Sequence, residues 1–182
     1  DRPLVPWDTE PTPQNFFGGN LKGIESKLDY LAGIGAANIY FNPVFRAPSN
    51  HRYDTESYFE IDPLLGTNAD LKSLTSEAKR HGIGVLLDGV FNHCGKTMPE
   101  FLAAKAGDST WCDMFTIYPD GSYQTFGGTE FMPKLKTESS MVVTVTDSSS
   151  DSLVMVTVKV TSPPGGWCGR CSTRSPVPAV GA

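Results

Sequence analysis

The sequence lacks several features that would assign a protein to a specialised class. Its 182 residues include only four cysteines, which do not make a disulfide scaffold. Cys168 and Cys171 alone are closely spaced, and no second pair with zinc-ligand spacing accompanies them. No apolar run approaches the roughly 20 residues that span a bilayer, and the residues after Asp1 lack the basic and apolar pattern of a secretory signal. We therefore expect no membrane association and a cytoplasmic location.

Positive charge is also scarce. Fifteen Lys and Arg residues stand against 20 Asp and Glu residues, giving a net charge of −5, and the basic residues are scattered. Such a protein has no sequence-independent attraction to phosphate backbones, so nucleic acid is not an expected partner. A hydrophobic content of 39% is typical of a globular domain. The chain begins with Asp1 rather than Met, and we expect it to be a processed, trimmed or incomplete product.

The hydrophobic pattern predicts an α/β fold. Residues 1–15 are proline-rich and read as an extended lead-in. Apolar residues at three- and four-residue steps predict helices over 20–35 and 68–81, the second capped by Asn68. Continuous apolar runs at 37–41 and 83–87 predict strands, the first followed by a polar loop from Arg46 through Tyr58. Helix and strand alternate, and neither apolar run alternates regularly with polar residues, which is typical of parallel strands buried on both faces.

The remaining sequence divides into two segments. Residues 96–139 show no clear period and read as a loop-rich excursion. The composition then changes abruptly, because 142–146 and 153–160 are β-branched runs that bracket a turn-rich stretch. We interpret 140–182 as a tail that forms a β-hairpin and then a disordered Pro/Gly/Arg/Ser-rich end.

Polar residues follow the second predicted strand directly. Asp88, Asn92 and His93 lie where parallel strands present their carboxyl ends, which is where an open sheet or a closed eightfold barrel carries its chemistry. Asp and Asn also simply begin loops and cap helices, so spacing alone leaves a structural role open.

Four stretches within about 7–139 carry motif patterns. They are DGVFNH at 88–93, with the pattern D-x-x-x-N-H, the segments 15–24 and 39–55, and MPKLK at 132–136. Together they resemble the α-amylase family of glycoside hydrolases, in which D-x-x-x-N-H ends the third barrel strand. Residues 15–24 and 39–55 are similar to the first helix of that family and to its second strand and loop, and MPKLK resembles the M-P-K-L-N signature of its neopullulanase, cyclomaltodextrinase and maltogenic amylase branch.

The resemblance implies a fold and a substrate class. The fold is a TIM (β/α)8 barrel, of which 16–95 would supply about two strands and two helices and 96–139 a domain B-like excursion. The activity is retaining hydrolysis of α-1,4 glycosidic bonds, with cyclodextrins, pullulan or maltooligosaccharides as partners. Members of this branch commonly dimerise through an amino-terminal β-domain, which we expect to be absent here.

The resemblance also implies roles for individual residues. His93 would hydrogen-bond sugar hydroxyls and Tyr53 would stack on the same glucose, although Tyr53 could be an ordinary half-buried ring. Asp88 would orient an arginine of the next strand, and Asn92 would be a structural amide. Gly18 and Asn20 would contribute to a calcium site, against the alternative that 18–19 merely approaches the first helix closely.

The catalytic carboxylates of the family have no counterpart that we can assign. They lie in an R-x-D segment, on the fifth strand and in an H-D segment, all after the M-P-K-L-N signature. Glu138, Asp147 and Asp151 have no matching context. We therefore expect the chain to be an inactive front portion of an α-glucan hydrolase. The alternative is a non-catalytic truncated or frame-shifted product, with an unrelated tail from about Ser140 and at most weak sugar binding.

Overall fold

A parallel pair of strands with helices packed on one face is the centre of the structure, a computed structural model that describes residues 2–139. The order of helices and strands is the α/β order that the hydrophobic pattern predicts. In chain order the elements are β1 (Leu4–Val5), β2 (Phe16–Phe17), α1 (Leu21–Glu25), α2 (Leu28–Gly33), β3 (Asn38–Phe41), β4 (Phe45–Arg46), β5 (Ser57–Ile61), α3 (Asn68–Arg80), β6 (Gly84–Leu87) and α4 (Pro99–Lys105), followed by a 3-10 turn at Cys112–Met114.

Strands β3 and β6 pair in parallel, with Asn38 opposite Gly84 and Phe41 opposite Leu87. The prediction that both faces are buried is wrong, because Tyr40 is 61% exposed. Leu86, the register partner of Tyr40 in β6, is 48% exposed, so this face of the pair is largely open within residues 2–139. The covered face packs on the helices in a core of Leu21, Leu28, Val44, Ile61, Leu74, Ala78 and Ile83.

The predicted helix over 20–35 is two helices, α1 and α2. The Ser26 hydroxyl donates to the Gly23 carbonyl at 2.7 Å, and the Lys27 N–H donates to the Ile24 carbonyl at 2.9 Å. These bonds tighten the last turn of α1 and end it, and the chain resumes helical geometry at Leu28. The apolar period continues across the break because both helices bury leucines in the same core.

Helix α3 has the predicted extent, but Asn68 is not its cap. Thr67 and Asp70 form a reciprocal capping box, in which the Asp70 N–H donates to Thr67 Oγ1 and the Thr67 N–H donates to Asp70 Oδ2. The Asn68 side chain instead joins the helix to β5, where it accepts from the Ile61 N–H and donates to the Phe59 carbonyl.

Three elements lie within or beside regions expected to be irregular. Strands β4 and β5 pair antiparallel within and beside the predicted loop, and α4 lies in the excursion. A second core joins this excursion to the segment after β6, and its buried members are Tyr58, Cys94, Met98, Phe101, Ala104, Met114, Phe115 and Leu135. Within residues 2–15 the only regular element is the short β1, which pairs in parallel with β2.

No helix among the described residues is long and apolar enough to cross a membrane. The division at residues 15, 95 and 139 stays a prediction. The hairpin and the disordered end predicted for 140–182 lie outside the described residues.

Candidate active site

An open cleft of about 580 Å³ lies at the carboxyl end of β6. Three separate parts of the chain form its wall: the loop after β4, the segment directly after β6, and the excursion. The structure thus brings together Tyr53, Asp88, Asn92 and His93, as expected for residues near the ends of parallel strands. The lining residues are His51, Tyr53, Asp88, Gly89, Val90, Phe91, Asn92, His93, Phe126 and Met132.

The carboxylate of Asp88 holds the ring of Tyr53. The phenolic O–H of Tyr53 donates to Asp88 Oδ2 at 2.9 Å, and 38% of Tyr53 remains exposed. Hydrogen bonding to this carboxylate raises the pKa of both Tyr53 and Tyr40, because a carboxylate favours the neutral phenol that can donate to it. Asp88 therefore interacts with both Tyr40 and Tyr53. Its hydrogen bond to Tyr53 orients that ring before any ligand binds.

Both ring nitrogens of His93 are engaged by protein atoms. Nε2 donates to the main-chain carbonyl of Tyr53 at 3.1 Å, and Nδ1 lies 3.1 Å from the amide nitrogen of Asn92. Because a carbonyl can only accept, Nε2 carries the proton and Nδ1 accepts from Asn92, which defines a neutral imidazole. Burial lowers the pKa of His93 and outweighs the opposing effects of the Tyr53 carbonyl and Asp54.

Phe126 covers the other side of His93, a contact that sequence reasoning missed. The two rings stack with centroids 4.6 Å apart and planes 10° apart, and half of Phe126 remains exposed. The excursion reaches this position because the Cys94 N–H donates to the Pro133 carbonyl and the Leu135 N–H donates to the Asn92 carbonyl. The MPKLK segment thus lies beside the DGVFNH segment, and only their resemblance to one family hinted at that proximity.

The loop carrying Tyr53 has an unusual backbone. Arg52 has a φ of 60°, in the left-handed region that non-glycine residues rarely adopt. The Arg52 N–H donates to Ser49 Oγ at 3.1 Å, and the Tyr53 N–H donates to His51 Nδ1 at 3.0 Å. The Ser49 hydroxyl lies against Asp54 Oδ1, so the loop is closed by its own polar side chains.

Gly18 and Asn20 lie outside this cleft. Asn20 Oδ1 accepts from the Gly23 N–H at 2.8 Å and so caps α1, while a side chain at Gly18 would approach the Trp7 indole. Residues 2–139 contain no group of three or more His, Cys, Asp or Glu side chains that could hold a metal ion. Calcium takes six to eight oxygen ligands. Gly18 and Asn20 alone supply fewer, and the side-chain oxygen of Asn20 already accepts from the Gly23 N–H. The calcium site at Gly18 and Asn20 stays a prediction.

Comparison with known proteins gives a consistent family. The family model of the alpha-amylase catalytic domain matches residues 7–142. A maltogenic alpha-amylase of Bacillus acidopullulyticus is 45% identical over 148 residues, covering 76% of this chain and 25% of that protein. A cyclomaltodextrinase of Geobacillus thermopakistaniensis is 47% identical over 142 residues, covering 72% of this chain and 24% of that protein. The chain therefore spans about a quarter of the length of these curated relatives.

Solved structures of glycoside hydrolases are similar to this chain in both sequence and fold. The cyclic alpha-maltosyl-(1→6)-maltose hydrolase of Arthrobacter globiformis, in complex with maltose, is 38% identical with a TM-score of 0.69, over 75% of this chain and 33% of that one. The type III pullulan hydrolase of Thermococcus kodakarensis is 37% identical with a TM-score of 0.69, over 75% of this chain and 26% of that one.

Proposed function

Because the chain belongs to the α-amylase family of glycoside hydrolases, we propose that it is the front portion of an α-glucan hydrolase. The substrates proposed are cyclodextrins, pullulan or maltooligosaccharides, cleaved at α-1,4 bonds with retention. Several relatives are named as enzymes of that kind, which supports the substrate class. The observation that carries the proposal is the cleft that gathers Tyr53, Asp88 and His93.

Tyr53 is the proposed platform for one glucose unit. A pyranose ring has an apolar C–H face that packs on an aromatic ring, and polar edges that need fixed hydrogen-bonding groups. The phenol of Tyr53 is already held by Asp88, so little rotational freedom is lost when a sugar binds.

His93 is the proposed donor to the sugar hydroxyls, and the structure sets a condition on that role. Its Nε2–H is directed at the Tyr53 carbonyl, so a sugar hydroxyl must share this proton or displace the carbonyl. Sugar contact at His93 is therefore coupled to the backbone of the residue that supplies the platform. In this proposal Asn92 keeps its structural role as the partner of His93 Nδ1.

Within residues 2–139 the cleft wall contains one carboxylate, Asp88. Retaining hydrolysis needs two carboxyl groups about 5 to 5.5 Å apart, one as nucleophile and one as acid. Asp88 is engaged by Tyr53 and has no such partner among the described lining residues. We therefore propose that the 182-residue chain by itself binds α-glucan without cleaving it.

The same observation favours a second candidate, a non-catalytic product whose only activity is sugar binding. The two candidates differ in ancestry and not in what this polypeptide does in isolation. Both predict binding that depends on Tyr53 and no turnover. They separate only in a longer polypeptide, where the first candidate predicts hydrolysis and the second predicts none.

Calorimetric titration of the purified chain with β-cyclodextrin and maltotriose tests the proposal. We expect measurable binding, an affinity about tenfold lower for Tyr53→Ala, and no release of reducing sugar above that of a heat-denatured sample. Tyr30→Ala is the matched control, since Tyr30 is exposed in α2 and outside the cleft. Turnover by the isolated chain, or equal affinity of wild type and Tyr53→Ala, contradicts the proposal.

A further inference from the structure

Arg52 links the cleft to a buried charge cluster that the proposed function does not use. Its Nε lies 3.4 Å from Asp62 Oδ2, and its side chain is 13% exposed while that of Asp62 is fully buried. Arg2 completes the cluster with two bonds, from NH1 to Oδ2 at 3.0 Å and from NH2 to Oδ1 at 3.2 Å. One carboxylate at the end of β5 therefore holds arginines from the lead-in and from the loop before Tyr53.

The charge of Asp62 is compensated by its neighbours. A buried carboxylate is costly unless paired and hydrogen-bonded, and Asp62 also accepts from the Leu64 N–H at 2.9 Å. Burial alone would raise the pKa of Asp62, but the Leu64 N–H and the two arginines lower it below its ordinary value. Asp62 is thus a fixed negative charge, and the guanidinium of Arg52 has a defined place to bind.

Arg52 is also the residue at which the loop reverses. Its φ of 60° costs conformational energy that glycine would not pay, and the next residue is Tyr53. Three contacts hold this conformation: the N–H donates to Ser49 Oγ, NH1 donates to the Asn50 carbonyl at 3.0 Å, and Nε faces Asp62. The side chain and the main chain of Arg52 are therefore both fixed, and Arg52 directly precedes the tyrosine that lines the cleft.

We propose that Arg52 is a positioning residue, which acts through its contact with buried Asp62 to hold Tyr53 against Asp88 and facing the cleft. The proposal deepens the proposed function and rests on it for the claim that Tyr53 binds glucan. The claim that Arg52 holds the loop carrying Tyr53 rests on geometry alone, and it can be tested without a sugar ligand.

The first test is amide hydrogen exchange of the 182-residue chain, followed by NMR. In Arg52→Asn the asparagine still tolerates the left-handed backbone, so the variant removes the guanidinium with little added strain. We expect exchange of the Tyr53 N–H, which is bonded to His51, to become at least about tenfold faster while the amides of α3 keep their wild-type rates. Unchanged exchange at Tyr53, or an equal increase throughout α3, overturns the proposal.

The second test is a double-mutant cycle on β-cyclodextrin affinity. We expect Arg52→Asn to weaken binding about tenfold in the wild-type background and less than about twofold in the Tyr53→Ala background, because a residue that acts through Tyr53 has nothing left to position. Equal losses in both backgrounds overturn the proposal. Arg80→Asn is the control, since that arginine pairs with Glu77 on α3 and should leave both readouts unchanged.

The outcomes separate the two proposals. If the wild-type chain fails to bind β-cyclodextrin, the proposed function fails, while the exchange experiment still decides the role of Arg52. If Arg52→Asn does not fold, Asp62→Asn is measured in the same way, since it keeps the side-chain shape and removes the charge that Arg52 faces. A wild-type exchange rate at Tyr53 in that variant overturns the proposal.

Discussion

The phenol of Tyr53 donates a hydrogen bond of 2.9 Å to Asp88 across 35 residues of sequence. This bond joins the loop after β4 to the end of β6 and places an aromatic ring over the cleft. The same bond is the main cause of the raised pKa of Tyr53, although the two residues come from different elements.

Replacement of Asp88 by Asn should lower the pKa of Tyr53 toward the ordinary value of about 10. The carboxylate raises the pKa of Tyr53 because it stabilises the donating phenol and repels the phenolate, and an amide keeps the acceptor but not the charge. NMR titration with tyrosine labelled at Cζ measures this change. Resonances of Tyr118, outside the cleft, serve as the reference, and an unmoved Tyr53 titration would show that the bond is absent in solution.

Removal of the Phe126 ring should raise the pKa of His93 toward its ordinary value. Burial is the main cause of the lowered pKa of His93, and Phe126 stacks directly on the imidazole. Nitrogen-15 NMR of the histidine ring in Phe126→Ala measures the shift. Phe131→Ala is the control, because Phe131 is similarly exposed and packs on Lys96 instead; the same change in both variants would contradict the role of the stack.

His93 should make the protein less stable in mild acid. Its folded-state pKa is below the unfolded value of about 6.5, so its contribution to stability is present above pH 6.5 and is lost as the pH falls through the folded pKa. Urea midpoints of wild type and His93→Gln between pH 5 and 8 test this. We expect the wild-type advantage over the variant to shrink as the pH falls, and a constant difference would refute the prediction.

His81 should have the opposite effect. Nδ1 bonds the Glu77 carbonyl at 2.8 Å and Nε2 bonds Asp29 at 3.0 Å, so only the protonated ring can donate to both. These contacts raise the pKa of His81, with the Glu77 carbonyl as the largest cause. Its contribution is therefore present below about pH 6.5 and is lost as the pH rises through the raised pKa. His81→Gln measured over the same range should lose stability mainly at the acidic end, and a loss mainly at alkaline pH would count against the bond to Asp29.

Substitution of Gly95 by Ala should destabilise the fold by about 2 kcal/mol. A Cβ at Gly95 would overlap the main-chain carbonyl of Asp54, and the Gly95 N–H donates to the Thr55 carbonyl at 2.8 Å, so the two segments cannot separate without losing that bond. Chemical denaturation measures the effect. Gly33→Ala, where a Cβ meets nothing within 4 Å, should be neutral or slightly stabilising. Equal stabilities of the two variants would disprove the close approach.

Local pattern in the sequence was sufficient for the elements whose stability is local or whose burial is periodic. The apolar runs predict β3 and β6, and the three- and four-residue period predicts α3 almost to its ends. The DGVFNH motif places Asp88 and His93 at a strand end by resemblance and by spacing, and both line the cleft. These predictions succeed because side-chain period and strand direction follow directly from backbone geometry.

Only the tertiary structure decided the contacts that give the cleft its chemistry. Phe126 stacks on a histidine 33 positions earlier in the sequence, and Arg52 and Arg2 converge on Asp62 from two different segments. The same holds for Tyr53 and Asp88, and for the Asn92 and Tyr53 atoms that engage both nitrogens of His93. A hydrogen bond or ring stack between distant segments depends on packing of intervening elements and has no period along the chain, so sequence alone names the residues but not their partners.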